Sequence, residues 1–249
     1  MSPAHGSGVV LGKYFSAPWS PLLLSYVPEL WLPPAGISGS PIDSIANAGT
    51  AGGSLAASGA NRPAVGAING VACPDFDGSD DRLLGSMLAT AVATTTEFHA
   101  FVVLELDEWS PNHASPYGEA AVLGNQRVAP SWLMSVRTTS PQADAYVYQG
   151  GVPTNTYATG LALSTPALIE WWLTAGTMYL RIADGSAASV AVPNPITDLG
   201  YPVILARNDW SGLHINGRIA EAICSKVVYT GADLTNIRAY YARIYGVTV

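Results

Sequence analysis

Charge is what this chain has least of. Its 249 residues carry 11 Lys+Arg and 18 Asp+Glu, 12% in all, about half the ~25% usual in a globular chain. The balance of -7 comes without any basic run, so a row of phosphates could not be neutralised and nucleic acid is excluded as a partner. Cysteine is almost as scarce. Cys73 and Cys224 are too few for a disulfide scaffold and have no metal-type spacing, so they read as two small buried hydrophobes. Long apolar runs are missing too: Leu22-Leu23-Leu24 is the most apolar early stretch, and Pro21 and Pro28 bound it far short of a bilayer. Membrane insertion is therefore not expected. Met1 to Gly12 holds neither Lys nor Arg nor a continuous apolar stretch, so no secretory signal is expected and export would follow lysis. There is no P-loop, nucleophile elbow, HExxH pair or Gly-x-Gly-x-x-Gly helix start.

What is present is apolar and broken. At 49% hydrophobic the chain collapses rather than staying disordered, while 25 Gly and 18 Pro exclude a mostly helical body. Residues 1–27 form an apolar arm interrupted by Pro18 and Pro21, which lies either on its own body or on a partner. The second option makes the chain a homo-oligomer, a trimer being one candidate, with the arm docking on other proteins of an assembly. Residues 28–249 form one domain. Its first part, 35–70, is small and polar but punctuated by Ile37, Ile42, Ile45 and Leu55, an ordered loop with short strands. From 71 onward serial strands are separated by turns: Val71 to Phe76, Phe98 to Glu108, Ala120 to Leu123, Trp132 to Arg137, Ala143 to Tyr148, Leu168 to Leu173, Thr177 to Ile182, Ser189 to Val192, Val203 to Ala206, Leu213 to Ile215 and Ile219 to Tyr229. That spacing suits a sandwich or jelly roll. One helix follows, with Asp233 as its cap, Leu234, Ile237, Tyr241 and Ile244 on one face, and Gly246 as its stop.

Several segments resemble, in order, the concanavalin A-like lectin/glucanase superfamily in its laminin-G-like form, of the kind found in phage structural proteins. They are Pro28-Glu-Leu-Trp-Leu32; Ile68-Asn-Gly70 with Pro74-Asp-Phe-Asp-Gly-Ser-Asp-Asp-Arg-Leu83; Phe98-His-Ala-Phe-Val-Val103; Gly217-Arg-Ile-Ala-Glu221; Val228-Tyr229; and Ile237 to Gly246. The resemblance covers roughly 28 to 246 and implies an all-β jelly-roll sandwich of two antiparallel sheets with one C-terminal helix. It also implies that the Phe76 strand and the Ile219-to-Val228 strand share a sheet, bringing Cys73 near Cys224. A reduced pair is the expectation there and a disulfide the alternative. The fold hosts lectins, hydrolases, lyases and structural modules, so it leaves function open.

Three constellations carry candidate chemistry. Asp75, Asp77, Asp80 and Asp81 are the densest charge, and a loop supplying several carboxylates is what calcium would need; the spacing is not an EF-hand's, and an Asp77-Gly78 turn braced by Asp80 or Asp81 is the leading reading. No other cofactor is expected. Glu105 and Asp107 share a strand face, as do the paired carboxylates of the superfamily's glucanases, but Trp109 or Ser110 stands where the closing acid belongs. A hydrolase or lyase using those two acids is thus the alternative, and no enzyme the expectation. Finally, alternation sends Ile169, Trp171 and Leu173 inward and Glu170 and Trp172 outward, with Met178, Leu180 and Ile182 inward and Tyr179 and Arg181 outward. Trp132, Met134 and Val136 point in, Arg137 out. If the Glu105 and Asp107 face is also the open one, a groove collects Glu105, Asp107, Arg137, Glu170, Trp172, Tyr179 and Arg181, the acids, arginines and rings that hold sugars. The competing reading covers Trp172 and Tyr179 with loops or a neighbouring subunit. The expectation is a non-enzymatic adhesion or structural module of a virion (fibre, spike or decoration protein) that binds cell-surface glycans, with a ligand-free virion component as a further alternative.

Overall fold

The computed structural model describes residues 20–109, 119–125, 132–137, 141–149, 152–196, 199–208 and 213–249. The first 19 residues of the arm lie outside the described residues. The strands are β1 (Leu30–Leu32), β2 (Ile37–Gly39), β3 (Ile42–Ala46), β4 (Ser54–Ala56), β5 (Ala64–Ile68), β6 (Val71–Asp77), β7 (Leu83–Leu88), β8 (Phe98–Leu106), β9 (Glu119–Asn125) and β10 (Trp132–Arg137). They continue as β11 (Gln142–Gln149), β12 (Val152–Thr159), β13 (Ala167–Thr174), β14 (Thr177–Ile182), β15 (Ala188–Ala191), β16 (Pro202–Leu205), β17 (Arg207–Asn208), β18 (Leu213–His214) and β19 (Asn216–Ser225), before the helix α1 (Gly231–Tyr245).

Apart from the short two-stranded ladder of β17 and β18, these strands make two antiparallel sheets, which with the C-terminal helix are the architecture that the sequence suggests. The first sheet runs β15-β14-β13-β8-β19-β6-β5, with β1 also on β19; the second runs β12-β11-β10-β9-β16-β7-β4-β3-β2. β8 is the spine of the first. Its even residues, Phe98, Ala100, Val102 and Leu104, enter the core between the sheets, while Phe101 and Val103 enter a second core on the other face. Burial on both sides is why its sequence reads as a continuous apolar run. The inter-sheet core is centred on Trp132 and Trp171, both fully buried, with the Phe98 ring edge-on to Trp171 at 4.5 Å and to Trp132 at 5.7 Å.

The second core lies between the first sheet and α1. Ile237, Tyr240, Tyr241 and Tyr245 of the helix pack on Phe101, Val103, Leu168 and Ile223. Gly246 ends the helix in the left-handed region at φ +70, its N–H reaching the Ala242 carbonyl at 3.0 Å, as a residue without Cβ does at little cost. The helix begins differently from expectation. Thr230 is its N-cap and makes no side-chain capping bond. Asp233 sits in the first turn and instead accepts from the Ser25 N–H and hydroxyl. With Leu24 in the helix-side core and the Tyr229 hydroxyl on the Tyr26 carbonyl at 3.0 Å, the chain is already docked on the body from Leu24.

Three sequence expectations change here. Cys73 and Cys224 are both free and buried. β6 and β19 do pair, through Phe76 and Gly217, but Cys73 faces the helix-side core and Cys224 the inter-sheet core, so the sheet itself separates them. β7 and β12 are strands that composition hid: Val152-Pro-Thr-Asn-Thr-Tyr-Ala-Thr159 carries a proline, tolerated because β12 is an edge. The last strand stops at Ser225 rather than continuing to Tyr229.

Candidate functional site

The alternation read from the sequence is correct for every inner-facing residue named, but the outer face of the first sheet is not an open groove. Register places Glu170 opposite Phe101 and Arg181, and Trp172 opposite His99 and Tyr179. Glu170 is only 2% exposed. Arg238, one turn into α1 from Leu234, grips it with Nε at 3.2 Å and Nη2 at 2.8 and 2.9 Å; Arg181 also bonds it. His99 completes the knot at 3.0 Å. Its Nδ1 accepts the Tyr229 N–H at 3.1 Å, so Nε2 carries the proton and donates to Glu170. Burial works against the carboxylate, but the His99 hydrogen bond and the two arginines hold Glu170 below the ordinary carboxylate range; burial also lowers His99. Beside this knot the Trp172 and Tyr179 rings stack on each other at 4.9 Å and 7°, both half-buried.

Glu105 and Asp107 belong to a second knot on the same face, four residues along β8 from Phe101, about 13 Å away. Arg218 of β19 stands opposite Glu105 on one side and Asp75 on the other. Its Nη2 lies 3.1 Å from Glu105 and also bonds Asp107, with Asp75 at 3.9 Å from Nε. The approach depends on Gly217, at φ +142, where a Cβ would come within 2.3 Å of the Glu105 carbonyl oxygen. Both acids that could flank a glycosidic bond are thus shared by one guanidinium.

Arg137 joins neither knot. It lies on β10 of the second sheet, facing outward from the opposite side of the sandwich, and its Nε bonds Asp144 of β11 at 2.8 Å. The expected single groove is therefore three separate clusters. Around Arg137 that outer face carries a row the sequence reading did not single out: Ser135, Asp144 and Tyr157 stand directly opposite one another on β10, β11 and β12. Ser135 and Asp144 are 0% and 1% exposed, Tyr157 55%. At the far end of this face, Ser54, Ser58, Asn61, Arg82 and Ser86 line a cleft of about 300 Å³.

The aspartate cluster behaves as a braced turn. Gly78 has φ +76, Asp77 Oδ1 accepts the Ser79 N–H at 2.8 Å, and Asp81 Oδ2 accepts the Asp77 N–H at 3.0 Å. Oxygens of Asp77, Asp80 and Asp81 come within 4.8 Å of one another, a donor set of the hard type that suits calcium, but Asp75 turns away to Arg218. Burial pushes Asp81 up to about 6, with the charges of Asp77, Asp80 and Asp75 adding to it against the Asp77 N–H bond.

A further acid went unnoticed in the sequence. Glu221, 1% exposed on β19, accepts from Trp31 Nε1 at 2.5 Å, Tyr245 Oη at 2.6 Å and Tyr240 Oη at 3.1 Å. It stitches β1, β19 and α1 together. Burial raises it to about 7 in spite of these three donors. The signal was there: it is the one charge in the apolar run Ile219-Ala-Glu-Ala-Ile-Cys224, which demands partners.

The chain matches no protein-family model and no curated protein sequence. Solved structures do resemble it. The receptor-binding domain of botulinum neurotoxin type G superposes with a TM-score of 0.60 at 10% identity, covering 86% of this chain and 51% of that one. The binding domain of botulinum neurotoxin DC, solved in complex with SialylT, gives 0.61 at 10% identity over the same shares. Trypanosoma rangeli sialidase, in complex with the inhibitor DANA, gives 0.56 at 9% identity, covering 84% of this chain and 32% of the other. What they share with it is the fold. The chain spans about half the length of the toxin domains and about a third of the sialidase.

Proposed function

We propose that this chain is a non-enzymatic binding module that recognises surface glycans. The observation that carries the reading is the Trp172–Tyr179 pair: two parallel, half-buried rings beside the Glu170–Arg181 ion pair, a surface on which a sugar's C–H face stacks while a planar cation takes its hydroxyls. The sharing of Glu105 and Asp107 by Arg218 supports binding over hydrolysis, because a glycosidase needs one acid free to protonate and another free to attack. Two fold neighbours, the botulinum neurotoxin DC binding domain in complex with SialylT and botulinum neurotoxin type C, whose cell entry depends on interaction with two ganglioside molecules, support the same ligand class, and the sialidases that share the fold are why hydrolysis is tested alongside. On a glycan array Tyr179→Ala is expected to lower binding about tenfold or more, and Glu105→Gln to leave it unchanged. Turnover of any glycan that is lost in Glu105→Gln overturns the reading in favour of a hydrolase.

The finer reading is a fibre, spike or decoration protein of a phage or virus-like particle. The 12% charge content and the exposure of Leu22 and Leu23, at 50% and 64% where the arm meets the body, support burial in an assembly. Sedimentation of the full chain is expected to show an oligomer that falls apart when residues 1–19 are removed; a monomer insensitive to that removal contradicts it.

A further inference from the structure

We propose that the outer face of the second sheet is a separate sugar site, built for an uncharged polyhydroxylated ligand, with Asp144 and Ser135 as hydroxyl partners and Tyr157 as the stacking ring. The inference rests on the carbohydrate reading but not on the Trp172–Tyr179 pair, which lies on the other side of the sandwich.

Among the described residues, two buried polar atoms on this face, Asp144 Oδ1 and Ser135 Oγ, make no hydrogen bond. Asp144 gives Oδ2 to Arg137 Nε at 2.8 Å, but its Oδ1 is without a hydrogen bond, and so is Ser135 Oγ directly opposite. Leaving such a group unmade costs about 1–3 kcal/mol, more where it is charged, and unexplained cases are uncommon in native folds. Trp132 Nε1, Trp171 Nε1 and Tyr241 Oη also lack hydrogen bonds, but they are single neutral groups inside apolar cores, and Arg181 Nε and Arg218 Nε lack them in guanidinium groups that are already paired with Glu170 and with Glu105 and Asp107. Here an acceptor and a hydroxyl stand side by side next to the small apolar cluster of Ala121, Leu133 and Tyr146, close in register yet not bonded to each other. A ligand hydroxyl donating to Asp144 Oδ1 and accepting from Ser135 satisfies both at once.

The neighbours fit that occupant. Tyr157 is the next residue across the sheet from Asp144 and is 55% exposed, so from Ser135 to Tyr157 the row spans two inter-strand spacings, about 10 Å. Arg137, with its side chain 34% exposed, flanks it one register step away. The two polar atoms are buried, so a ligand reaches them only when the side chains around them shift. Asp144 and Arg137 cancel in charge, and Asp144 keeps one buried carboxylate oxygen without a hydrogen bond. A neutral hexose suits such a site, whereas an acidic sugar sets a second carboxylate against Asp144.

The test is an array of neutral oligosaccharides and their sialylated counterparts, probed with wild type, Ser135→Ala, Asp144→Asn, Tyr157→Ala and Tyr179→Ala, with the thermal midpoint of each recorded. Tyr157 is exposed, so its variant reports binding even if Asp144→Asn unfolds. The expected result is a preference for the neutral member of each pair, with binding reduced about tenfold in Ser135→Ala and Tyr157→Ala at unchanged midpoints. Neutral binding that survives both substitutions but falls in Tyr179→Ala leaves the carbohydrate reading standing and overturns this site. So does a shift in midpoint without a change in binding, which assigns the two atoms to buried water, and so does a preference for sialylated ligands. Wild type that binds no glycan overturns both.

Discussion

Glu221 shows how a single side chain is committed by its surroundings. Its carboxylate is buried among Trp31, Tyr240 and Tyr245, and its pKa rises to about 7 from the ordinary 4.5 of a glutamate, burial being the main cause. Between those two values the folded chain holds a proton that the unfolded chain releases, so stability falls as pH rises from about 5 to 7.5 and is level above. The full effect of a shift this size is about 3 kcal/mol. Glu221→Gln keeps an acceptor for Trp31 and offers an amide to the two tyrosine oxygens, so it is expected to match wild type near pH 5 and to exceed it near pH 8 in urea unfolding. An unchanged difference across that range contradicts the assignment. Asp81, also raised, contributes equally to both proteins and cancels. From sequence alone the anomaly of one acid in an apolar strand was legible. Its partners were not, because Trp31, Tyr240 and Tyr245 come from both ends of the chain and only the fold brings them to one point.

At the scale of elements, periodicity was a good guide to direction and a poor one to cover. It assigned Glu170, Trp172, Tyr179 and Arg181 to the outer face of β13 and β14, where they are, because a strand's alternation is local geometry. It could not show that α1 folds back onto that face and lowers Arg238 onto Glu170, since that depends on contact between residues 68 positions apart. The same limit misplaced Arg137, whose outward direction was right while its sheet was not. β12 was missed because Pro153 and its run of threonine and asparagine carry turn chemistry that an edge strand accommodates. Glu170 now functions as the anion that pins the helix. Glu170→Ala leaves Arg181, Arg238 and the His99 N–H around an empty centre and is expected to cost 3–5 kcal/mol, the usual penalty for breaking a buried pair from one side. Chemical denaturation checks this; a loss below about 1 kcal/mol would show that the helix is held by its apolar face and the Asp233–Ser25 contact rather than by this anion.

For the whole molecule, the two-sheet sandwich was visible in the serial strands and turn spacing, and the superpositions establish that fold without establishing a family. Ligand chemistry is written less openly, because both clusters on the first sheet are ion pairs that the fold itself consumes, while on the second sheet Ser135 Oγ and Asp144 Oδ1 stand opposite each other without a hydrogen bond. Low charge and the half-buried Trp172 and Tyr179 rings are the features on which the proposed contact surface rests. Ligand-observed NMR on a panel of oligosaccharides reads binding and turnover in one tube. The expected outcome is saturation transfer from the protein to at least one oligosaccharide whose own spectrum stays unaltered over a day of incubation. New reducing-end signals, or no transfer to any member of the panel, would contradict the reading of this chain as a glycan-binding module without catalysis.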